Sequence, residues 1–306
     1  MNTAAVTSPR SWIPYAALLV VTWGVWGAFS AAPSELYGYP QEMIYVIWAV
    51  TMLVPAAVIT RGQRIDRRLS ATVRGLTIGL LGAGGQLLLF HALVIGPAYL
   101  VFPIVSVSPA VTVVLAVLLL RERLAVLALA GLGAVLVALV LFGVTSPSEA
   151  AGTGPWMPLA VGVCLAWGIQ AFLMRAAAVD GVNDATTFLW MTVGGLLLVP
   201  VAIAMMGGIP VDAPWQAPVL TAATQLLNAV GALLLVMALS RGRASVVSPV
   251  TNALPPVLAI LIALLVSQAL PSPIGAVAIV LAVGGSTAMV YSDARSADRD
   301  RLSART

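Results

Sequence analysis

The sequence predicts an all-α integral membrane protein with ten transmembrane helices, arranged as two inverted five-helix repeats with both termini on the cytoplasmic side. Three observations lead to this fold class. The chain is 60% apolar and only 8% charged, whereas a soluble domain carries roughly 25% charged residues. Its fifteen basic residues are all Arg and are confined to alternate gaps between apolar segments. Finally, the second half of the chain repeats the first.

Ten apolar stretches are long enough to cross a bilayer, which takes about 20 residues. We number them spans 1 to 10 in chain order: residues 12–31, 43–60, 73–95, 98–120, 124–143, 157–178, 184–206, 217–239, 244–266 and 272–291. Some connections, such as Gly96-Pro97, are so short that the spans they join must be antiparallel.

The distribution of Arg gives the orientation of these spans, because cytoplasmic loops keep Lys and Arg while translocated loops lose them. Besides the two termini, the Arg-bearing segments are 61–74, 121–123, 175–183 and 240–243. The Arg-free loops are 32–42, 96–97, 144–156, 207–216 and 267–271. The two sets alternate without exception, so ten spans with both termini inside place every Arg in the cytoplasm.

The composition also indicates which binding partners and special sites to expect. The pI is near 9.7, but the Arg clusters are short and border apolar runs, so anionic lipid headgroups are expected as partners and nucleic acid is not. The single cysteine, Cys164, can form no internal disulfide and is expected to be a small core residue. The first apolar run lacks a small-residue cleavage site, so we expect a retained span rather than a signal peptide. No cofactor or metal site is expected.

An internal duplication relates the two halves. The segment that begins at Gly85 aligns without a gap with the one that begins at Gly231, and about sixteen of forty positions are identical, more than apolar bias alone gives. The matching pairs include Pro103 with Pro249, Pro109 with Pro255, and Gly96 with Gly242. We therefore expect two units, 1–150 and 151–306. Each holds five spans, an odd number, so the second unit enters the membrane from the opposite side.

Inverted repeats are typical of secondary transporters, in which two pseudo-symmetric halves enclose a site near the midplane and expose it to each side in turn. The sequence therefore predicts a transporter that works by alternating access. The alternative from another class is a membrane-embedded enzyme or assembly factor. An enzyme would need convergent His, Asp or Glu side chains, and the spans contain no such cluster.

The chain resembles the drug/metabolite transporter superfamily, in particular its ten-helix EamA-type members. The matching features are the Trp-Gly pair in the first span of each half (Trp23-Gly24 and Trp167-Gly168), the proline pairs of spans 4 and 9, and Glu122 after span 4. The resemblance covers the whole chain and implies the ten-helix fold and small-molecule transport, but hardly any substrate. Family members often repeat the Glu after span 9, where this chain has Gln268.

Polar and aromatic residues within the spans give a candidate substrate site. Intramembrane polar groups are costly and usually face a bundle interior or a cavity. We expect the cavity to be lined by Trp23, Trp26, Gln86, Ser106, Gln170, Asn228 and Asn252. All are neutral, so the cavity suits amino acids and related zwitterionic or uncharged metabolites, and we expect an exporter. An uptake carrier for sugars or nucleosides is the alternative within transport.

The spans offer little for ion coupling. His91, towards the outer end of span 3, is a candidate proton sensor, with a neutral structural His as the alternative. Glu122 is expected to form a cytoplasmic ion pair, and Arg175 is explained by topology alone. The tryptophans at span ends (Trp12, Trp156 and Trp215) are expected to anchor the protein at the membrane–water interface.

The prolines of spans 4 and 9 are expected to break backbone hydrogen bonds, which is tolerated where the helix lines a cavity. The expected location is a bacterial inner or plasma membrane. The partners are then the bilayer and a small-molecule substrate, and a homodimer is left open.

The orientation can be tested with topology reporters. We expect a reporter fused after Thr306 to read cytoplasmic and one inserted near Ser148 to read external. Both follow from the placement of Arg. An external signal from the C-terminal fusion would rule out the ten-span arrangement and, with it, the inversion of the second half.

Overall fold

The computed structural model describes residues 11–96, 98–144, 154–208, 212–267 and 272–303. In this part of the chain the secondary structure is entirely helical, with fourteen helices. The first half contains α1 (Ile13–Phe29), α2 (Ala32–Tyr37), α3 (Gln41–Thr51), α4 (Leu53–Thr60), α5 (Leu69–Ile95), α6 (Ala98–Ser106), α7 (Ser108–Leu119) and α8 (Val126–Val144). The second half contains α9 (Trp156–Val179), α10 (Asp184–Leu197), α11 (Val199–Met206), α12 (Gln216–Arg241), α13 (Ala244–Ser267) and α14 (Pro273–Ser303).

These helices account for all ten spans, so the all-α, ten-span fold class is confirmed. Eight helical stretches of the described residues are long and apolar enough to cross a membrane, and two shorter apolar helices, Ile104–Leu119 and Val126–Phe142, complete the set. Span 1 is α1, which continues into the short α2. Spans 2, 4 and 7 each consist of two consecutive helices.

Each two-helix span has its break next to a proline. The chain leaves the helix at Met52 in span 2, at Val107 in span 4 and at Leu198 in span 7. Pro55, Pro109 and Pro200 then lie within the first three residues of the following helix. Proline lacks an N–H and is tolerated in a first turn, where no intrahelical partner is lost. The expected break in span 4 is therefore confirmed.

Span 9 differs from the expectation of an interrupted helix. α13 runs continuously from Ala244 to Ser267, with Pro249, Pro255 and Pro256 inside it. Proline fixes φ near the helical value, so a helix can pass through it at the loss of one backbone hydrogen bond per proline. The equivalent prolines thus break span 4 but not span 9.

Spans 1 and 6 are exchanged between the two halves. Span 1 belongs to the first half by sequence but packs against spans 8 and 9, while span 6 packs against spans 3 and 4. Spans 5 and 10 pack against each other, as do spans 3 and 7, and spans 2 and 8. Each half therefore contributes one span, span 1 or span 6, that packs mainly against spans of the other half.

Two of these contacts depend on glycine facing glycine. In spans 3 and 7, a Cβ on Gly79 would lie 2.3 Å from the carbonyl oxygen of Met191 and 2.9 Å from the Cα of Gly194. In spans 5 and 10, a Cβ on Gly131 would lie 2.6 Å from the carbonyl oxygen of Gly285. Small residues at such crossings let helix backbones approach closely in a membrane.

The Arg-rich loop between spans 2 and 3 is fixed to the start of span 7. The Asn183 carbonyl oxygen Oδ1 caps α10 by accepting from the backbone N–H of Thr186 at 2.8 Å, and Asn183 Nδ2 donates to the carbonyl of Arg64 at 2.8 Å. The backbone N–H of Asp66 donates to Thr186 Oγ1 at 2.8 Å. Hydrogen bonds from Arg68 lower the pKa of the Asp66 carboxyl, so this carboxylate stays ionised.

The crossing of spans 3 and 7 gives a stability test. We expect Gly79→Ala to destabilise the protein by about 1–3 kcal/mol, because the added methyl group would overlap backbone atoms of span 7. Gly84→Ala, on the same helix, is the matched control. Its Cβ would meet only a Leu198 methyl group at 3.8 Å, so we expect no loss of stability. Thermal unfolding in detergent measures both, and equal melting temperatures would contradict the close crossing.

Candidate functional site

All seven residues predicted to line the cavity lie on spans 1, 3, 4, 6, 8 and 9, which all take part in contacts between the two halves. Trp23 of span 1 extends across to span 8. Its indole Nε1 donates to the carbonyl of Asn228 at 3.2 Å, and its ring lies on Gly231, where a Cβ would come within 2.2 Å of it. Trp23 therefore joins spans 1 and 8. Its contact with a substrate stays a prediction.

The second half repeats this contact. Trp167 Nε1 of span 6 donates to the carbonyl of Gly82 at 3.2 Å, and a Cβ on Gly85 would lie 2.5 Å from the same nitrogen. In the repeat alignment Trp167 matches Trp23, and Gly85 matches Gly231. The tryptophan of each Trp-Gly motif thus makes the same contact with a neighbouring span, Trp23 of span 1 with span 8 and Trp167 of span 6 with span 3.

Each of these two contacts is accompanied by a second Trp–Gly contact. Its tryptophan and its glycine each lie eleven residues along the chain from the first pair, which is about three helical turns. A Cβ on Gly242 would lie 2.7 Å from Trp12, and one on Gly96 would lie 2.3 Å from Trp156. The predicted interfacial role is wrong for these two tryptophans, which are only 2% and 5% exposed because their rings pack against the glycines. Trp215, which is 71% exposed, fits that role.

The four Trp–Gly contacts leave a signal in the sequence, because the two tryptophans and the two glycines of each contact pair are both eleven residues apart. The tryptophans are Trp12 and Trp23 in one half, and Trp156 and Trp167 in the other. A Trp-x10-Trp spacing on one helix and a Gly-x10-Gly spacing on its antiparallel partner is a signal that the sequence analysis missed.

The remaining polar candidates of spans 6, 8 and 1 lie close to the same contacts. Gln170 packs on Gly82, where a Cβ would fall 2.2 Å from the amide nitrogen. Asn228 Nδ2 donates to Gln225 Oε1 at 3.2 Å. Trp26 is half-buried, and its Nε1 is buried without a hydrogen-bond partner among the described residues. Such an orphaned donor is costly unless a ligand or water meets it.

Ser106 and Asn252, the equivalent pair on spans 4 and 9, are both half-buried. The Ser106 hydroxyl donates to the Phe102 carbonyl, and Asn252 Nδ2 donates to the Ser248 carbonyl at 2.8 Å. Both therefore bond to their own helix, and their contact with substrate stays a prediction. On span 3, Gln86 is half-buried and His91 is exposed on the bundle surface. Proton sensing by His91 likewise stays a prediction.

A buried polar contact that the sequence analysis missed joins spans 4, 6 and 9. The Ser248 hydroxyl donates to Thr112 Oγ1 at 3.3 Å, and the Thr112 hydroxyl donates to the carbonyl of Gly168 at 3.0 Å. The first two side chains are buried completely or almost completely. Hydrogen bonds of this kind hold helices together in a membrane, and here they cross from one half to the other.

The Arg-rich end contains a second contact between the halves, built around Glu122. Its carboxylate accepts from the backbone N–H groups of Ala244 and Ser245 at 3.1 and 2.9 Å, and from the Ser245 hydroxyl at 2.6 Å. It thereby caps the start of span 9, where the helix dipole favours a negative charge. Arg175 Nε of span 6 lies 3.4 Å from the same carboxylate.

Arg175 also caps the end of span 8. Its Nη1 donates to the carbonyls of Leu239 and Ser240 at 3.3 and 3.2 Å, which lie in the last turn of α12. The expected ion pair of Glu122 is therefore present, and its partner is Arg175 of span 6. Topology alone does not explain Arg175, because its guanidinium connects spans 6 and 8 to Glu122.

Two further ion pairs lie at the same end. Arg241 Nη1 is 2.6 Å from Asp184 of span 7. Arg243 Nε donates to Asp293 of span 10 at 2.6 Å, and the same carboxylate accepts from Trp12 Nε1 at 3.3 Å. Within the described part of the chain, every ion pair lies at or next to this Arg-rich side.

The fold and these contacts describe a polytopic transporter of two interlocked inverted repeats. Residues 10–144 and 154–291 each match the EamA-like transporter family, so the chain belongs to that family. One crystal structure of a protein 19% identical in sequence superposes with a TM-score of 0.72, over 90% of this chain and 98% of the other, and shares its fold. Comparison with curated protein sequences gives no match.

The Trp contacts give a second stability test. We expect Trp23→Phe and Trp167→Phe each to destabilise the protein by at least about 0.5–1.5 kcal/mol, because each removes an indole donor from an interhelical hydrogen bond. Trp215→Phe is the matched control, since its side chain is exposed, and we expect it to be neutral. Thermal unfolding in detergent distinguishes them. If all three variants melt with the parent, the indole bonds do not hold the exchanged spans.

Proposed function

We propose that this membrane transporter exports amino acids or related neutral, zwitterionic metabolites by alternating access. Membership of the EamA-like family supports transport of small molecules, and the finer statement is our proposal. It includes no catalytic step, and it places the protein in a bacterial inner membrane, with the Arg-rich end in the cytoplasm.

The observation that carries alternating access is the unequal packing of equivalent helices. Span 6 contacts span 8 as well as spans 3 and 4. By the repeat, span 1 would contact span 3 in the same way, but in the described residues these two spans are not closely packed. At the Arg-rich end, spans 6 and 8 are joined by Arg175, whose guanidinium donates to carbonyls in the last turn of α12. Two repeats that hold unequal conformations can exchange them, which exposes a central site to each side in turn.

The chemistry of the candidate cavity supports a neutral or zwitterionic substrate. Its predicted lining provides amide, hydroxyl and indole groups, and Trp26 offers a buried N–H that could donate to a substrate carboxylate. The guanidinium groups of Arg175, Arg241 and Arg243 are all engaged at the cytoplasmic end. A phosphorylated substrate would need such a cation near the membrane midplane, so we do not propose one.

Counterflow in proteoliposomes tests this function. The purified protein is reconstituted with a pool of unlabelled metabolites inside, and uptake of single labelled amino acids, sugars and nucleosides is followed with ionophores present. We expect exchange of one or more amino acids that survives collapse of the proton gradient. Exchange of sugars or nucleosides alone would overturn the substrate class, and abolition of exchange by the ionophores would show proton coupling.

Ser106 and Asn252 give the corresponding test of the site. We expect Ser106→Ala and Asn252→Ala each to weaken the apparent substrate affinity by a few-fold to about tenfold, the effect of losing one hydrogen bond of about 0.5–1.5 kcal/mol. Folding should be nearly unchanged, because each side chain otherwise bonds only to its own helix. Val137→Ala, at an exposed position of span 5, is the control. Parental affinity in both variants would place the cavity elsewhere.

A further inference from the structure

We propose that Glu122 is the latch of the cytoplasmic gate: its carboxylate holds the Arg-rich end closed, and its release is a step of the transport cycle. This inference rests on the proposed alternating access and adds the residue that controls one side of it. Glu122 is a positioning residue, which acts by holding helices together rather than by touching substrate.

The first argument is what Glu122 connects. It lies in the connection between spans 4 and 5, in the first half. Its carboxylate caps span 9 through Ala244 and Ser245, and it pairs with Arg175 of span 6, all in the second half. Arg175 in turn holds the end of span 8. One side chain thus joins both halves at a single end of the bundle, and the halves cannot rock apart there unless its bonds break.

The second argument is the backbone that presents this carboxylate. Arg121 has φ of 55°, and among the described residues it is the only one other than glycine with a positive φ. This left-handed turn directly precedes Glu122, whose backbone N–H donates to the Ala116 carbonyl at 3.1 Å. Backbone strain in a residue other than glycine persists only where the surrounding structure holds it. Here the backbone bond from Glu122 to Ala116 closes the turn at the end of α7, and the carboxylate of the same residue reaches the start of α13.

The third argument is that the opposite end lacks this device. In the repeat alignment Gln268 matches Glu122 and Ala31 matches Arg175. Gln268 lies outside the described residues, but neither residue type can supply the charge of the ion pair. The latch is therefore specific to one side, the side on which Arg175 joins spans 6 and 8.

The fourth argument is that a buried polar layer lies directly behind the latch. Ser248, one turn further into span 9 than the capped residues, is only 1% exposed and bonds to Thr112 of span 4. While the latch is closed, reagents in the cytoplasm cannot reach Ser248. Its accessibility from that side therefore reports the state of the gate.

Side-specific labelling tests the latch without a known substrate. In a Cys164→Ala background, Ser248→Cys is exposed to a membrane-impermeant maleimide in inside-out vesicles. We expect slow labelling with Glu122 present and at least about a tenfold higher rate with Glu122→Ala. Asp184→Ala is the matched control, because Asp184 also pairs with an arginine, Arg241, at this end, but both residues belong to the second half. We expect the control to label like the parent.

A folded Glu122→Ala protein that labels at the parental rate would overturn the latch. If Glu122→Ala does not fold, Glu122→Gln decides: it keeps the size of the side chain but loses the charge, and we expect a rate several-fold above the parent. A parental rate in that variant would equally overturn the proposal. Because labelling needs no substrate, a raised rate together with failed amino-acid counterflow would preserve the latch and reject only the proposed substrate class.

Discussion

The exchange of spans 1 and 6 between the halves depends on tryptophan rings packed against glycines. Lipid tails are as apolar as leucine, so helices in a bilayer associate through van der Waals packing and hydrogen bonds rather than by exclusion from water. The absent side chains of Gly231 and Gly85 leave space for Trp23 and Trp167, whose indoles then reach a backbone carbonyl across the gap. With a second pair three turns away, each antiparallel contact has a fixed register.

The charged contacts at the Arg-rich end are a consequence of topology. Cytoplasmic loops keep Lys and Arg while translocated loops lose them, which concentrates the arginines, and the ion pairs they form in the described part of the chain, at one end of the bundle. There Glu122 and Arg175 join spans 6, 8 and 9, and Arg243 pairs with Asp293 of span 10. At the opposite end, the halves meet through Trp156 packed on Gly96. The two pseudo-symmetric halves are therefore held together by ionic contacts at one end and by an apolar contact at the other.

The sequence could predict the number and class of helices because bilayer thickness and the placement of Arg constrain every span. It could not predict which spans pack together, since that depends on the shapes of two distant segments. Trp12 and Trp156 show this limit: at a span end an interfacial tryptophan is the expectation, and only Gly242 and Gly96 make it a buried one. Glu122 shows it too, because an acidic residue between two arginines gives no sign that its partners lie in spans 6 and 9.

In the proposed export cycle, substrate enters from the cytoplasm, and the bonds of Glu122 hold that end of the bundle together. The proposal therefore assigns this arrangement to the outward-facing state. Alternating access requires a second arrangement, in which the two halves exchange conformations. Glu122 adds contacts to one arrangement only and so biases the pair towards it. A substrate can reverse this bias only through its higher affinity for the inward-facing arrangement. The apparent affinity of the transporter for substrate in the cytoplasm is therefore reduced, and the stability of the Glu122 latch determines the size of that reduction.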